Sequence, residues 1–316
     1  MFVHLLSTVD SAYTVPFCVT VHSLISNLSP GARIRWHLCR TGLTESDVEQ
    51  IESQSAGAPL EFRWHEIGKT DLERFPLRGR AVAKMYERLL MPQILAGEVE
   101  RFIYLDGDLL VLDDIAKLGR LPLNGQIVAA VQDLAVPVVS SPMGLRRYRE
   151  LGFSSGAPYF NAGVCVVDVE AWCRHGITAA ALDYLQRYED SINLLDQDAL
   201  NAVIKNRWQP VDYRWNLTAS LAGRDHYHPR HVDPGRLAEA VADPAIVHFS
   251  GSMKPWNVSR LGSRWTHAYD RALFEVFPGY SRTRTARAWA LSFYDRTLRT
   301  YLYPLERTLW HTMRGF

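Results

Sequence analysis

Alternating strand-like and helix-like segments in the first third of the chain constrain its fold more than any other sequence feature. Three strand-like segments begin at Val3, Ile34 and Leu60, and the first is a short apolar run of the kind that forms a buried strand. Apolar residues at helical spacing follow the first run. Thr44 and Asp47 form a capping-box pattern that opens a helix after the second. This order predicts an α/β fold with a mixed, mostly parallel central sheet.

The alternation continues to about residue 250. We expect a helix over residues 83–95 that breaks near Pro92, and one long helix over residues 170–188. Further strands are expected over 101–105, 127–132, 162–168 and 245–249, a helix over 196–205 and an irregular or helical excursion over 136–158. These elements predict one large α/β domain over residues 1–280.

Composition excludes several classes of protein. The 316 residues carry a formal net charge of +1, so no overall attraction to nucleic acid is expected. The first ten residues lack a basic segment followed by a long apolar run, which favours a cytoplasmic protein. The four cysteines form no Cys-x-x-Cys pair and are expected to be buried, reduced thiols. Asn216-Leu-Thr and Asn257-Val-Ser match the glycosylation pattern, and we interpret both as chance matches.

Residues 281–316 differ in composition from the rest of the chain. Seven arginines, from Arg282 to Arg314, face only two acidic residues, and leucines and aromatic residues recur every three or four positions. A basic, aromatic, amphipathic segment is typical of a helix at an anionic membrane surface, which would make the protein peripheral on the inner face of the cytoplasmic membrane. The alternative is a helix packed on the main domain with solvated arginines.

The sharpest local motif is Asp106-Gly107-Asp108, directly after the apolar run 101–105. In a turn, a glycine between two aspartates lets the backbone bend so that both carboxylates converge. Carboxylate oxygens suit Mg²⁺ or Mn²⁺, and the carboxyl end of a strand is where open α/β sheets bind ligands. The pattern on its own also occurs in solvated turns.

A second motif, His248-Phe-Ser-Gly251-Ser-Met-Lys254-Pro-Trp, follows the last predicted strand. A neutral imidazole is a good ligand for a borderline divalent ion. Gly251 would let a phosphate approach the backbone, and Lys254 would supply a positive charge to it. A single histidine is more often structural, but the three residue types within seven positions predict a diphosphate-binding loop.

Two further motifs carry polar residues beside predicted elements. Asn161 leads into the strand over 162–168 and suits a hydrogen bond to a sugar hydroxyl, although asparagine also caps turns. Asp196, Gln197 and Asp198 begin the helix over 196–205. They predict either a polar contact with a transferred sugar or an ordinary helix cap.

Together these motifs resemble the retaining glycosyltransferase family 8, in particular its bacterial lipooligosaccharide and lipopolysaccharide galactosyl- and glucosyltransferases. The resemblance runs from residue 1 to about residue 270, and no G-x-G-x-x-G pattern points instead to a dinucleotide oxidoreductase. The matching pieces, in order, are Asp10 with Tyr13, Tyr86-Glu-Arg88-Leu, Tyr104-Leu-Asp106-Gly-Asp108, Asp133, Tyr159-Phe-Asn161-Ala-Gly, Asp196-Gln197-Asp198 and His248-Phe-Ser-Gly251-Ser-Met-Lys254-Pro-Trp.

The resemblance implies a GT-A fold and a role for each matched residue. Asp106, Asp108 and His248 would bind Mn²⁺ or Mg²⁺, and the ion would hold the diphosphate of a UDP-sugar donor. The resemblance also implies that Asp10 and Tyr13 contact uracil and ribose, and that Gly251 and Lys254 contact phosphate. Arg88 and Asp133 would contact the donor sugar. Asn161, Asp196 and Gln197 would surround the transferred sugar, and Asp198 is a further donor-site candidate.

The implied reaction transfers galactose or glucose to a hydroxyl of a glycan or glycolipid and forms an α-linkage. Gln197 would lie on the face of the sugar opposite the leaving group. An amide is a poor nucleophile, so we favour front-face attack over a covalent intermediate. Asp133 and Asp196 are further candidates for catalytic roles. A nucleotide-sugar hydrolase and a non-catalytic nucleotide-sugar or glycan-binding module are the alternative functions.

Overall fold

A computed structural model describes residues 2–40, 42–67, 80–221, 231–251, 254–257 and 264–282. The chain divides into two compact units, Met1–His248 and Phe249–Phe316. The domain boundary expected between residues 280 and 281 stays a prediction, because residues 283–316 lie outside the described part of the chain.

The first unit is built on a seven-stranded sheet with the order β3-β2-β1-β4-β7-β6-β8. Strands β1 to β4 are paired in parallel, β7 runs antiparallel to both of its neighbours, and β8 is parallel to β6. The mixed, mostly parallel sheet expected from the sequence is confirmed. The strands are β1 (Phe2–Thr8), β2 (Arg33–Cys39), β3 (Leu60–His65), β4 (Arg101–Leu105), β5 (Leu109–Val111), β6 (Val128–Gln132), β7 (Phe160–Asp168), β8 (Trp208–Val211), β9 (Leu217–Thr218) and β10 (Ile246–His248).

A small second sheet, with the order β5-β10-β9, continues from the end of β4. Strand β10 is antiparallel to β5, and His248 pairs with Leu109. Strand β9 is parallel to β10, and Thr218 pairs with His248. This sheet therefore brings the end of β10 next to the turn that follows β4, although about 140 residues separate them.

Most predicted helices are present, and two expectations about them are wrong. The described helices are α1 (Thr14–Ser26), α2 (Glu45–Glu52), α3 (Arg80–Ile94), α4 (Ile115–Gly119), α5 (Val169–Arg174), α6 (Ile177–Arg187), α7 (Leu195–Ile204), α8 (Pro234–Ala242) and α9 (Arg264–Val276). The capping box of Thr44 and Asp47 is confirmed at the start of α2.

Helix α3 does not break at Pro92, because this proline lies in the last turn. There the missing backbone N–H removes a single hydrogen bond near the helix end, and Leu95 N–H still donates to Met91 O at 2.9 Å. The helix expected over residues 170–188 is two helices. Gly176 separates them with a φ of +61°, a left-handed conformation that favours glycine and ends a helix.

Within the second unit, helix α9 packs aromatic residues around Tyr269. The rings of Phe249 and Trp256 lie 4.9 Å and 6.0 Å from the Tyr269 ring, measured between centroids. Arg282 forms an ion pair with Asp270, and its Nε donates to Pro255 O. This first arginine of the basic segment therefore belongs to the packed unit. In the part of the chain that the structure describes, no helix is both long and apolar enough to cross a bilayer.

Candidate active site

The turn Asp106-Gly107-Asp108 is held at both of its ends. At its entry, Asp106 N–H donates to Gly163 O at 2.8 Å. At its exit, the Thr20 hydroxyl of α1 accepts from Leu109 N and donates to Leu109 O. The turn therefore presents its carboxylates in a fixed direction at the carboxyl edge of the sheet. Asp108 is buried, and the Asp106 side chain is partly exposed.

His248 reaches both aspartates because β10 pairs with β5. The pairing places His248 opposite Leu109, the residue directly after Asp108. His248 Nε2 lies 3.3 Å from Asp108 Oδ1 and 3.6 Å from Asp106 Oδ2. One ligand atom from each of the three side chains falls within 4.8 Å of the others. The structure thus brings together the two carboxylates and the imidazole expected to form a metal site.

Gly163 of β7 leaves the space that the side chains of His248 and Asp106 occupy. A Cβ atom at this position would clash with His248 Cε1 and Asp106 Oδ2. Any other residue at position 163 would therefore have to displace one of these two side chains. Residues 106, 108 and 248 fit a divalent ion as an oxygen, oxygen and nitrogen donor set.

Arg88 and Asp196 form a buried ion pair beside this group. Arg88 Nη1 donates to Asp196 Oδ2 at 2.8 Å, the guanidinium lies 3.8 Å from the Tyr104 ring centroid, and Nη2 donates to Ala162 O. Burial raises the pKa of the Asp196 carboxyl, and the Arg88 charge opposes that rise. The pair links α3 to the start of α7.

Asp133, Asn161 and Gln197 form a second polar cluster. Asp133 Oδ2 accepts hydrogen bonds from Asn161 Nδ2 at 2.8 Å and from Gln197 Nε2 at 3.0 Å. Gln197 Oε1 accepts from Ala162 N at 2.9 Å. Because both ends of the Gln197 amide have partners, the orientation of this side chain is fixed.

Asp198 lies apart from this cluster and is fully buried. Its carboxylate accepts from the Tyr159 hydroxyl at 2.6 Å and from the backbone N–H groups of Asn193 and Leu194. These bonds hold the segment that leads into α7. Its predicted contact with the donor stays a prediction.

The segment Asp10–Tyr13 follows β1 and lies next to the Asp-Gly-Asp turn. A Cβ atom at Gly107 would stand 3.5 Å from Tyr13 Cδ1, so the tyrosine ring packs against this glycine. Asp10 Oδ1 accepts from Ala12 N at 3.1 Å. The proximity agrees with a nucleoside site beside the metal site, although the uracil and ribose contacts stay predictions.

Asp47 of α2 also stabilises the segment that follows β1. The sequence predicted only the other role of Asp47, in the capping box of its own helix. Its carboxylate accepts from the hydroxyls of Ser11, Thr14 and Thr44 and from Thr44 N. Partial desolvation acts to raise the pKa of Asp47, but these hydrogen bonds outweigh it and lower the pKa to about 2.

Gly251 and Lys254 belong to the second unit. Gly251 has a φ of +92°, a left-handed backbone conformation that favours glycine. Lys254 Nζ donates to Phe249 O at 2.9 Å and lies 5.5 Å from the Trp256 ring centroid. Phosphate binding by these two residues stays a prediction.

Asn216 is a residue of the site that the sequence did not reveal. Its only visible signal was the glycosylation pattern, yet it is almost fully buried and its Oδ1 lies 2.9 Å from His248 Nδ1. No feature within the Asn216 segment indicates this contact, because it depends on the pairing of β9 with β10.

Comparisons with known proteins agree with this geometry. The family described as "Glycosyl transferase family 8" matches residues 4–259. General stress protein A of Bacillus subtilis (strain 168) is 28% identical over 297 residues, covering 89% of this chain and 95% of that protein. The Lipopolysaccharide 1,2-glucosyltransferase of Escherichia coli (strain K12) is 25% identical, covering 79% and 71%.

Solved structures give the same result for the fold. The crystal structure of an active-site mutant of LgtC superposes with a TM-score of 0.70 at 25% identity, covering 85% of this chain and 95% of that one. The galactosyltransferase LgtC in complex with donor and acceptor sugar analogs gives a TM-score of 0.71 at 23% identity, covering 92% and 99%. The GT-A fold expected from the sequence is therefore confirmed.

Proposed function

Since this chain belongs to glycosyl transferase family 8 and is a glycosyltransferase, we propose that it transfers galactose or glucose from a UDP-sugar to a hydroxyl of a glycan or glycolipid. The anomeric configuration is retained, and Mn²⁺ is the preferred ion. The carrying observation is the convergence of Asp106, Asp108 and His248 within 4.8 Å.

The donor set favours Mn²⁺ over Mg²⁺. Mg²⁺ strongly prefers oxygen ligands, whereas an imidazole nitrogen suits a borderline ion. When bound, such an ion neutralises charge on the diphosphate as UDP departs. The space left by Gly163 supports a metal site at residues 106, 108 and 248, because a Cβ there would clash with His248 and Asp106.

The chain's own residues hold and orient the sugar. The buried Arg88–Asp196 pair offers charged hydrogen-bonding groups close to the proposed metal ligands. Asp133 and Asn161 support Gln197, whose amide orientation is fixed at both ends. A fixed amide dipole can stabilise positive charge that develops at the anomeric carbon without reorganising during the reaction.

We favour front-face attack for the retaining step. The acceptor hydroxyl approaches the anomeric carbon from the side of the departing diphosphate, a phosphate oxygen takes its proton, and UDP leaves as the new C–O bond forms. Gln197 stays on the opposite face. Its amide is a poor nucleophile and is already hydrogen bonded to Asp133 and Ala162, which disfavours a covalent glycosyl-enzyme.

The acceptor class rests on the relatives. The Escherichia coli protein is a Lipopolysaccharide 1,2-glucosyltransferase, and LgtC is a galactosyltransferase with a complex containing donor and acceptor sugar analogs. The name of the Escherichia coli relative supports a lipopolysaccharide-type glycan or glycolipid acceptor, which we propose is reached from the cytoplasmic face of the membrane. The basic segment 281–316 supports contact with an anionic surface there.

A panel of UDP-sugars with Mn²⁺ tests the proposed reaction. We expect UDP release from UDP-galactose or UDP-glucose that depends on an added glycan acceptor, and a product whose anomeric proton signal is that of an α-linkage. UDP release that ignores the acceptor would indicate a hydrolase. Mn²⁺-dependent UDP binding without turnover on any acceptor would indicate a binding module.

The metal role is tested by Asp108→Asn with Asp114→Asn as a matched control. Both residues are buried aspartates near β5, but Asp114 only caps α4. Asparagine is also a good helix cap, so Asp114→Asn should keep full activity. Asp108→Asn should lose transfer by roughly 100-fold or more while remaining folded. Equal turnover in the two variants would contradict the metal role.

A further inference from the structure

A chain of hydrogen bonds connects His248 to the sugar side of the site through two side-chain amides and one carboxylate. His248 Nδ1 lies 2.9 Å from Asn216 Oδ1, and Asn216 Nδ2 lies 2.8 Å from Asn161 Oδ1. Asn161 Nδ2 lies 2.8 Å from Asp133 Oδ2. All four residues are buried, so water does not substitute freely for any of these partners.

The donor and the acceptor of each hydrogen bond in this chain follow from two groups, one that can only donate and one that can only accept. The backbone N–H of Gly163 can only donate, and it points at Asn161 Oδ1 at 2.9 Å. The Asp133 carboxylate, which also accepts from the backbone N–H groups of Ala135 and Val136, accepts from Asn161 Nδ2. The Asn161 amide therefore has one allowed orientation.

The orientation of Asn161 then determines that of Asn216. The Asn216 atom that faces Asn161 Oδ1 must be a donor and is therefore its NH₂ group. Its oxygen then faces His248 Nδ1 and can only accept. A metal ion held by Asp106, Asp108 and His248 Nε2 would take the Nε2 lone pair, and the ring proton on Nδ1 would then have its acceptor in Asn216 Oδ1.

We propose that Asn216 is a positioning residue that fixes the metal-binding tautomer of His248. The inference rests on the proposed metal role of residues 106, 108 and 248. A metal ligand needs its lone pair on the coordinating nitrogen, and a hydrogen bond to the other ring nitrogen selects that tautomer and ring orientation. Asn216 also joins His248 to Asn161 and Asp133, which hold Gln197.

The tautomer can be measured directly in the wild-type protein loaded with diamagnetic Mg²⁺. Two-dimensional ¹H–¹⁵N spectra that correlate ring nitrogens with ring protons distinguish the two neutral forms at alkaline pH, and the His248 signals are assigned by their loss in His248→Gln. We expect the Nδ1–H form. Observation of the Nε2–H form in the metal-loaded protein would overturn the proposal.

Mn²⁺ binding, followed by electron paramagnetic resonance, tests the consequence. Asn216→Ala removes the acceptor, and we expect Mn²⁺ affinity to fall about 10- to 100-fold. Asn216→Asp keeps an oxygen acceptor facing Nδ1 but loses the NH₂ donor to Asn161 Oδ1, so its Mn²⁺ affinity should fall less than that of Asn216→Ala. Transfer by Asn216→Ala should recover partly at high Mn²⁺ concentration, which a general structural defect would not produce.

Asn201→Ala is the matched control. Asn201 is an equally buried asparagine whose amide hydrogen bonds go to the backbone of Phe160 and Gln197 rather than to His248. It should lower stability without weakening Mn²⁺ binding. Unchanged Mn²⁺ affinity in Asn216→Ala, or an equal loss in Asn201→Ala, would overturn the proposal.

The outcomes also separate this inference from the proposed function. If the wild-type protein bound no Mn²⁺, the proposed function would fail. If the wild-type protein and Asn216→Ala bound Mn²⁺ equally well, only the role of Asn216 would fail. If Asn216→Ala does not fold, the wild-type tautomer and the Mn²⁺ affinity of Asn216→Asp decide instead. An affinity in Asn216→Asp that falls by more than about 100-fold would contradict the proposal.

Discussion

At the residue scale, the site depends on a position without a side chain. Gly163 has no positive φ, so its backbone could hold an alanine, but a Cβ there would clash with His248 and Asp106. Gly163→Ala should therefore keep the fold and misplace the ligands. We expect kcat to fall roughly 100-fold, together with weaker Mn²⁺ binding, as measured by turnover and metal titration.

Gly279→Ala provides the comparison for this variant. A Cβ at Gly279 meets nothing within 4 Å, and this glycine also lacks a positive φ. Activity and Mn²⁺ affinity should match those of the wild type. Wild-type activity in Gly163→Ala as well would show that the site tolerates the added methyl group, against the geometry described.

The Arg88–Asp196 pair makes a prediction about stability. Arg88→Met leaves the Asp196 carboxylate buried without its cation, and breaking such a pair costs about 3–5 kcal/mol of unfolding free energy. Urea denaturation measures this loss. In an Asp196→Asn background, where no charge is left behind, Arg88→Met should cost clearly less. An equal cost in both backgrounds would assign the loss to packing against Tyr104 instead.

Residue identities were predictable from the sequence, but several residue roles were not. The two aspartates and the histidine belong to compact local motifs, and the structure brings them together. Asn216 and Gly163 act through neighbours far along the chain, His248 in both cases. No local pattern marks such a contact, since it exists only after β9, β10 and β5 have paired.

At the element scale, the strands of five or more residues and β10 were predictable, whereas β5, β8 and β9 were not. Strands β1 to β4 have five to seven residues and clear boundaries. Strands β5 and β9 have three and two residues, so their sequences carry too little periodicity to be recognised. Strands β5 and β9 form because they pair with β10, and their own β-propensity is not enough to mark them.

The capping box of α2 predicts a pH dependence. The ionised Asp47 holds Ser11 and Thr14, so Asp47→Asn should lower the urea midpoint at neutral pH and weaken UDP binding. The folded-state pKa is depressed from 3.8 to about 2, so the advantage of the wild type is fully present above the unfolded value. It should disappear as the pH falls through about 2.

Glu49→Gln is the control on the same helix, because Glu49 is exposed. Its urea midpoint should follow that of the wild type at every pH. If the difference between the wild type and Asp47→Asn stays constant from neutral pH to about pH 2, the Asp47 carboxylate does not stabilise the segment in the way proposed.

At the scale of the whole molecule, the chain couples a family 8 domain to a basic C-terminal segment. Arg282 is tied to Asp270 and Pro255, so a truncation should begin after it. Deleting residues 283–316 should release the protein from anionic vesicles, measured by sedimentation, and leave transfer to a water-soluble acceptor unchanged. A truncated protein that still binds the vesicles would place the membrane contact elsewhere.

Crystallographic anomalous scattering from a complex with Mn²⁺ and UDP tests the central claim most directly. The account predicts one manganese peak bonded to an oxygen of Asp106, an oxygen of Asp108 and Nε2 of His248, with the diphosphate completing its coordination. A fully occupied peak that lacks the imidazole, or lies away from both carboxylates, would contradict it.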